Sequence, residues 1–264
     1  MKKLFIGTNL KMFKNIEQTV SFLRDLQERT KGVPRSEMCL FVIPSYTALE
    51  SATKSVSQDS IKLGAQNMHW ESQGPFTGEI SPLMLKELHL DIIEVGHSER
   101  RQLLGETDYG VNKKVLSACA HGFTALLCVG ETGEQKDAGL SEETLATQLK
   151  IGLLKFPPDQ LDKVWIAYEP AWAIGATGIP ASPEYANAMH KVIKQTLKKT
   201  FGDRADTIPV LYGGSVNYEN SSSLIVQEAI DGLFIGRAAW EAEAFTKIID
   251  QVLPLWKTKI LAKV

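Results

Sequence analysis

The sequence lacks the features that mark several common classes of protein. Its 264 residues include only 3 cysteines, Cys39, Cys119 and Cys128, and no C-x-x-C pair. Widely spaced cysteines in odd number argue against a disulfide framework and against a cysteine-based zinc cluster. No apolar run approaches the roughly 18 residues of a membrane span, and the one near the start is too short for a secretory signal. We therefore expect a reducing, cytoplasmic location without membrane attachment.

An excess of charge of one sign is also missing. The 29 basic residues nearly balance the 31 acidic ones, which gives a net charge of -2. Because nucleic-acid-binding proteins usually carry a basic patch, no nucleic-acid partner is expected. Glycine and proline stand at ordinary levels, with 20 and 11 residues. The length suits one barrel of about 250 residues or two small domains.

Short apolar or β-branched runs recur along the whole chain. They cover residues 4–6, 39–43, 61–63, 92–95, 125–129, 164–168, 209–212 and 233–235. Runs that are almost continuously apolar predict strands buried on both faces, as in parallel sheets covered by helices. Their starts lie roughly 30 residues apart, the length of a βα unit.

Helical patterns lie between these runs. In segment 141–155, Ser141 is the expected N-cap and acidic residues follow it in the first turn. Segment 183–200 begins with Ser182 as the cap and Pro183 at the first helical position. Eight such units without a linker predict an α/β fold, a single-domain (β/α)8 TIM barrel over residues 1–264. An open, doubly wound sheet is the alternative, because periodicity does not show closure.

In either architecture, functional groups gather beyond the carboxyl ends of the strands. Glu169 ends one predicted strand, and we expect Trp165, Tyr168 and Trp172 to wall it from water. A partly desolvated carboxylate is suited to removing a proton from carbon. An acid that merely caps the turn before Pro170 is the alternative.

Two other strand ends carry candidate catalytic groups. His97 precedes a predicted helix start, whose positive end favours a neutral imidazole able to donate a hydrogen bond. Asn9 and Lys11 follow the first strand, and their side chains would converge if the strand continued. Lys11 would supply a positive charge for an anionic substrate. Glu99 is expected to be a structural partner rather than a reacting group.

Two glycine clusters are candidate phosphate sites. Gly213, Gly214 and Ser215 follow the seventh predicted strand, and Gly236 follows the eighth. Glycine allows backbone N–H groups to turn toward one anion, and barrels often bind phosphate at these two positions. Tight turns are the alternative. Neither the dinucleotide fingerprint nor the P-loop motif occurs.

The segment at residues 170–182 has small residues at its centre and stiffer ones at both ends. This composition suits a lid that closes over the site, excludes water and carries the Gly175 amide to a ligand. A passive long loop is the alternative.

Six motifs in these places resemble the triosephosphate isomerase family, in that family's order, from about residue 5 to residue 245. They are N-x-K at 9–11, FTGE at 76–79, GHSERR at 96–101, CVGET at 128–132, YEP-x-WAIG at 168–175 and YGGSV at 212–216. A match of this extent is specific for the family and less specific for the exact substrate.

The resemblance implies a role for each candidate side chain. Glu169 would be the base and His97 the neutral electrophile, as is known for this family. Asn9 and Lys11 would contact the substrate, and Glu99 and Tyr212 would support the site. The phosphate would be held by the amides of four further residues, Gly175, Ser215, Gly236 and Arg237.

The resemblance also implies the reaction and the assembly. The enzyme would be an aldose–ketose isomerase that interconverts glyceraldehyde 3-phosphate and dihydroxyacetone phosphate, in glycolysis and gluconeogenesis. Thr77 would reach into the site of a second subunit, which makes the enzyme a homodimer. The family requires neither a metal nor a cofactor.

Several positions depart from the family's pattern. The family usually has an aromatic residue where Leu10 stands and a second glycine where Arg237 stands. The lid is one residue longer, with Ala176 as the extra residue, and its far hinge at 179–181 reads Ile-Pro-Ala. These departures suggest a paralogue that isomerises L-erythrulose 1-phosphate to D-erythrulose 4-phosphate. A sugar-phosphate binder without catalytic activity is a more remote alternative.

Overall fold

Eight parallel strands close into one barrel in the computed structural model, which describes residues 2–175 and 178–262. Each strand pairs with the next in sequence, and the last pairs with the first. The strands are β1 (Leu4–Asn9), β2 (Met38–Ile43), β3 (Lys62–Ala65), β4 (Ile92–Val95), β5 (Thr124–Val129), β6 (Val164–Tyr168), β7 (Val210–Tyr212) and β8 (Gly232–Ile235). The predicted (β/α)8 barrel is confirmed, and the open sheet is excluded.

Helices connect the strands and cover the barrel. The α-helices in the described residues are α1 (Ile16–Arg29), α2 (Tyr46–Ser55), α3 (Pro82–Glu87), α4 (Ser98–Leu103), α5 (Asp108–Ala120), α6 (Gly133–Asp137), α7 (Ser141–Gly152), α8 (Pro183–Phe201), α9 (Tyr218–Ile225) and α10 (Ala242–Leu261). Among these, none is both long enough and apolar enough to cross a membrane.

Successive side chains along each strand point alternately outward and inward, and this alternation produces two separate apolar cores. Side chains that point outward pack beneath the helices, and those that point inward fill the barrel. Inside, the ring of Phe41 packs against Trp165 and Phe234 at centroid distances of 5.6 and 5.5 Å. Aromatic rings therefore form a solid layer inside the barrel.

The helix starts follow the sequence signals in one case and depart from them in another. Ser182 caps α8 by accepting a hydrogen bond from the Tyr185 N–H, as predicted. The prediction of Ser141 as the cap of α7 is wrong, because Leu140 holds that position and Ser141 is already helical. The Ser141 hydroxyl lies 2.9 Å from the Tyr185 hydroxyl, so it links α7 to α8 instead.

Candidate active site

A cavity of about 380 Å³ opens at the carboxyl ends of the strands. This volume lies within the usual range of about 300–1,000 Å³ for small-molecule sites. Its walls come from the segments that follow β1, β4, β6, β7 and β8. The predicted site residues among its lining are Asn9, Lys11, His97, Glu169, Gly175, Ser215, Gly236 and Arg237. One cavity thus brings together two titratable side chains, a lysine and the glycine clusters.

Glu169 stands directly beyond β6 and is only 2% exposed. Its Oε1 lies 3.6 Å from Nε2 of His97, and its Oε2 accepts a hydrogen bond from the Ser98 N–H at 3.4 Å. The carboxyl is therefore held in place beside the imidazole at the edge of the cavity.

The predicted aromatic wall around Glu169 is not what the structure places there. The hydroxyl of Tyr168 and the indole N–H of Trp172 both donate to Glu131, at 3.0 and 2.9 Å. Trp165 packs deeper in the barrel against Phe41. The physical reason is strand alternation, which turns Tyr168 outward and leaves Glu169 at the mouth.

Gly213 leaves room for the side chain of Glu169 in this position. A Cβ at residue 213 would lie 2.9 Å from Cγ of Glu169, closer than real contacts of this kind. The Gly213 N–H donates to the Tyr168 carbonyl at 2.8 Å, which ties the loop after β7 to the end of β6. Close packing against Glu169 is thus a reason for glycine at residue 213 beyond the predicted tight turn or phosphate contact.

His97 caps helix α4 with its own side chain. The Glu99 N–H donates to Nδ1 of the ring at 3.1 Å. Because Nδ1 accepts this bond, the ring proton of the neutral imidazole lies on Nε2, the nitrogen that faces Glu169. The arrangement leaves Nε2–H as a hydrogen-bond donor at the cavity.

Asn9 and Lys11 meet at the cavity through a turn and not through a continued strand. Strand β1 ends at Asn9, and Lys11 has a φ of 51°, in the left-handed region. The Lys11 N–H donates to Oδ1 of Asn9 at 2.6 Å, which stabilises this turn. The ammonium of Lys11 forms an ion pair with Glu99 at 2.6 Å. The expectation that the strand geometry persists is therefore wrong.

Two side chains outside the predicted set fix the backbone at this point. The Gln66 amide donates to Oδ1 of Asn9 at 3.1 Å and to the Lys11 carbonyl at 2.7 Å. The indole of Trp240 donates to the Asn9 carbonyl at 2.9 Å. Gln66 directly follows β3, and this position at the end of a strand was the sequence signal that could have identified it as a site residue.

Glu94 lies beneath the cavity on β4 and is completely buried. It accepts hydrogen bonds from Nδ2 of Asn9 at 2.8 Å and from the Cys128 thiol at 3.8 Å. Burial, and secondly the nearby charge of Glu169, raise the pKa of Glu94 well above its ordinary value. One carboxyl oxygen of Glu94, one carboxyl oxygen of Glu169 and Sγ of Cys128 all lie within 4.8 Å of one another. The one sequence signal for Glu94 was a carboxyl inside an otherwise apolar run.

The opposite wall combines backbone segments with one long cationic side chain. Ser215 and Gly236 follow β7 and β8, and the exposed Arg237 lies beside them. Asn217 lines the cavity and caps α9, so the positive end of that helix points toward this wall. Gly175, with a φ of 94°, closes the wall from the loop after β6.

The remaining predicted residues lie outside the cavity. Tyr212 is buried, and burial raises the pKa of its hydroxyl. Thr77 is exposed on the segment between β3 and α3 and does not line the cavity of this chain. Leu10 is buried, whereas Ile179 at the far hinge is largely exposed. The predicted extra residue, Ala176, lies outside the described residues.

Comparisons with known proteins give a consistent result. The family model described as triosephosphate isomerase matches residues 4–252. A relative from Rhizobium etli, named L-erythrulose-1-phosphate isomerase, is 44% identical over 94% of this chain and 92% of its own length. Relatives from Rhizobium meliloti and Brucella abortus biovar 1 carry the same name. They are 43% and 45% identical, each over 94% of this chain and 96% of their own length.

Proposed function

The chain belongs to the triosephosphate isomerase family and is a sugar-phosphate isomerase, and from this premise we propose that it interconverts L-erythrulose 1-phosphate and D-erythrulose 4-phosphate. The observation that carries the proposal is the shared name of relatives that are 42–45% identical over 94% of the chain. We further propose that residues 1–264 act as one isomerase domain. The relatives' name points to a pathway other than glycolysis or gluconeogenesis.

The two compounds contain the same atoms and differ in which central carbon is the carbonyl. In L-erythrulose 1-phosphate the ketone is at C2 and a hydroxyl is at C3. Removal of the C3 proton leaves an electron pair that forms the C2–C3 double bond, while the carbonyl pair moves onto the C2 oxygen. Return of the proton to C2, with loss of the C3 hydroxyl proton, gives the other ketose. The aldose–ketose description therefore applies only to the three-carbon pair.

The side chains at the cavity suit this sequence of steps. Glu169 takes the proton from C3 and returns it to C2. His97, whose Nε2–H faces the site, donates to the carbonyl oxygen and carries the proton between the two oxygens. Lys11 and Asn9 stabilise the negative charge that develops on oxygen.

The phosphate of the substrate would occupy the wall opposite β4. We propose that the amides of Gly175, Ser215, Gly236 and Arg237 bind it, assisted by the positive end of α9. The guanidinium of Arg237 adds a planar fork that matches phosphate geometry. The loop that carries Gly175 would close over the bound sugar and exclude water from the enediolate.

Triosephosphate isomerisation is the second candidate, because the family model that matches residues 4–252 carries that description. The same side chains would perform it, with an aldehyde in place of the second ketone. The four-carbon substrate carries one additional hydroxymethyl group on the carbon that loses its proton. Discrimination therefore depends on the space beside that carbon, and not on the base or the phosphate site.

A comparison of two substrates tests the proposal. The purified enzyme is assayed with L-erythrulose 1-phosphate and with dihydroxyacetone phosphate under identical conditions. We expect kcat/KM to be at least about tenfold higher for the four-carbon compound, the range that small steric differences in a pocket produce. A three-carbon kcat/KM that equals or exceeds it would replace the proposal by triosephosphate isomerisation.

The same assay in D2O tests the chemistry. Proton transfer through a carboxyl that exchanges with solvent places deuterium at the carbon that receives the proton. Product that forms at the normal rate without deuterium would argue against free exchange at the base. Ligand binding without turnover of either compound would contradict both candidate reactions.

We also propose that the enzyme is a homodimer. Large apolar side chains are exposed on segments that follow β1, β3 and β4, notably Met12 at 95%, Met84 at 57% and Leu103 at 77%. Large apolar groups exposed in such number are candidates for an interaction surface, which a second copy of the chain would cover. Thr77 lies on the segment between β3 and α3, the helix that carries Met84.

A further inference from the structure

A carboxyl group inside the barrel has no part in the chemistry described so far. Glu94 points inward from the middle of β4 and is completely shielded from solvent. Its polar contacts are Nδ2 of Asn9, on β1, and the thiol of Cys128, on β5. Two elements of the barrel thus direct polar groups at this one side chain.

The surroundings of Glu94 favour the neutral carboxylic acid. Burial is the largest effect that raises its pKa, and the charge of Glu169 on the β6 side adds to it, as does that of Glu99. The hydrogen bond from Asn9 and the charge of Lys11 oppose these effects without cancelling them. A neutral carboxyl still accepts the Asn9 hydrogen bond through its carbonyl oxygen.

The carboxamide of Asn9 has its orientation fixed from both ends. Its Oδ1 accepts hydrogen bonds from Gln66 and from the Lys11 N–H, at 3.1 and 2.6 Å. Its Nδ2 donates one of its two protons to Glu94. Reversal of the amide would place its NH2 group against two donors, the Gln66 amide and the Lys11 N–H. The second Nδ2 proton remains available on a side chain that lines the cavity.

We propose that Glu94 is a positioning residue for the isomerisation: it holds the Asn9 carboxamide so that the remaining Nδ2–H is directed at the substrate oxygen. The inference rests on the proposed function in one respect, the contact between Asn9 and that oxygen. Glu94 itself touches no substrate and acts through Asn9. A donor of this kind is effective only when it is oriented before the charge develops.

Two substitutions at Glu94 distinguish its role as a hydrogen-bond acceptor for Asn9 from any role of its charge. Glu94→Gln keeps a carbonyl oxygen at the same reach and matches the neutral acid in shape. Glu94→Met keeps the volume and removes the acceptor. We expect E94Q to retain kcat within about threefold, and E94M to lose about 10- to 100-fold in kcat, the cost of a misdirected catalytic group.

The phosphate site provides the internal control. Because Glu94 lies away from the wall that would bind phosphate, KM and competitive inhibition by inorganic phosphate should change little in either variant. A thermal unfolding curve for each variant shows whether the barrel is intact. If E94M does not fold, Glu94→Asp gives the same test, because its shorter side chain withdraws the acceptor from Asn9.

A double-substitution cycle distinguishes positioning from a general structural effect. In the Asn9→Ala background, E94M should cause no further loss of kcat, because Glu94 acts only through Asn9. Wild-type kcat in E94M, a loss in E94Q as large as in E94M, or a full additional loss in the Asn9→Ala background would each overturn the inference.

These outcomes are distinct from failure of the proposed function. All variants are compared on whichever of the two ketose phosphates the wild-type enzyme turns over faster. A wild-type enzyme that prefers the three-carbon compound corrects the substrate and leaves the test of Glu94 intact.

Discussion

Burial affects each ionisable side chain according to the charge that it would carry. Glu94 is sealed inside the barrel, and the pKa of its carboxyl is raised mainly by loss of water. His190, on the inner face of α8, is also completely buried, and loss of water lowers its pKa to about 3. Burial thus favours the uncharged form of both groups, the acid form of Glu94 and the base form of His190. Their effects on stability therefore have opposite signs: the contribution of Glu94 is lost as the pH rises above the ordinary pKa of a carboxyl, and that of His190 is lost as the pH falls below 6.5.

The first prediction concerns the proposed base. Glu169→Gln preserves the shape of the side chain and removes its ability to accept a proton. We expect kcat to fall by about 10²- to 10⁴-fold or more, the usual contribution of a well-placed base. Inhibition by inorganic phosphate and the thermal midpoint should remain close to wild type. Near-normal turnover in this variant would exclude Glu169 from that role.

The second prediction concerns His190. Its folded pKa of about 3 lies below the ordinary value of about 6.5, so the unfolded chain binds a proton first as the pH falls. The free energy of unfolding should therefore decrease between pH 6.5 and 3, by up to about 1.4 kcal/mol per pH unit. In urea unfolding, wild type should lose about 2 kcal/mol more than His190→Leu between pH 7 and pH 5.

An exposed histidine serves as the control for this measurement. His89 is exposed and has a φ of 53°, which asparagine tolerates well. His89→Asn should therefore follow the pH dependence of the wild-type protein. Parallel curves for wild type and His190→Leu would mean that the buried ring does not control stability in acid.

At the scale of elements, the loop after β6 is anchored at its start by one buried carboxylate. Glu131 accepts hydrogen bonds from the Tyr168 hydroxyl, the Trp172 indole and the Tyr185 hydroxyl, all between 2.9 and 3.1 Å. These donors come from β6, from the loop itself and from α8. Glu131 thus fixes the near end of the loop that carries Gly175.

Glu131→Gln gives the third prediction. An amide nitrogen would face a donor in place of one carboxylate oxygen, so at least one hydrogen bond to a charged group is lost. We expect a decrease of about 1.5–3 kcal/mol in the free energy of unfolding, measured in urea. Because the loop start is loosened, KM should also rise. Glu134→Gln, on the exposed side of α6, is the matched control and should change neither quantity.

The elements that the sequence predicted best are those with a single dominant driving force. All eight strands were predicted because each is an apolar run buried on both faces, and their bounds shifted by only a few residues. The cap of α7 was not predicted correctly, because Ser141 had a competing partner, Tyr185, that is distant in sequence. The turn at Lys11 was missed for a different reason: Asn9 is only two residues away, and the apolar pattern of the strand does not show that its side chain accepts the Lys11 N–H and stabilises a turn.

At the scale of the whole molecule, the fourth prediction concerns assembly. Light scattering should give a mass twice the 29.2 kDa of one chain. Thr77→Arg should shift the protein toward monomers and lower kcat, because Thr77 would complete the site of the second subunit. Leu154→Arg, at another exposed position after α7, should leave mass and activity unchanged. A monomeric enzyme with full activity would contradict the role assigned to Thr77.

The location of the site could be predicted because parallel strands bring their carboxyl ends to one mouth. Asn9 ends β1, His97 and Glu169 come after β4 and β6, and all three line one cavity. The layer beneath them could not be predicted, because it depends on which side chains point inward. Glu94 is visible in the sequence only as one acid among apolar neighbours, and its partners lie on other strands.

The aromatic layer inside the barrel has a kinetic consequence. Phe41, Trp165 and Phe234 block passage along the axis in the part of the chain that the structure describes, so reactant and product share one entrance. The product must leave through the mouth before the next substrate molecule can enter. Accumulating product will therefore slow the forward reaction by simple competition, and progress curves will bend well before equilibrium is reached.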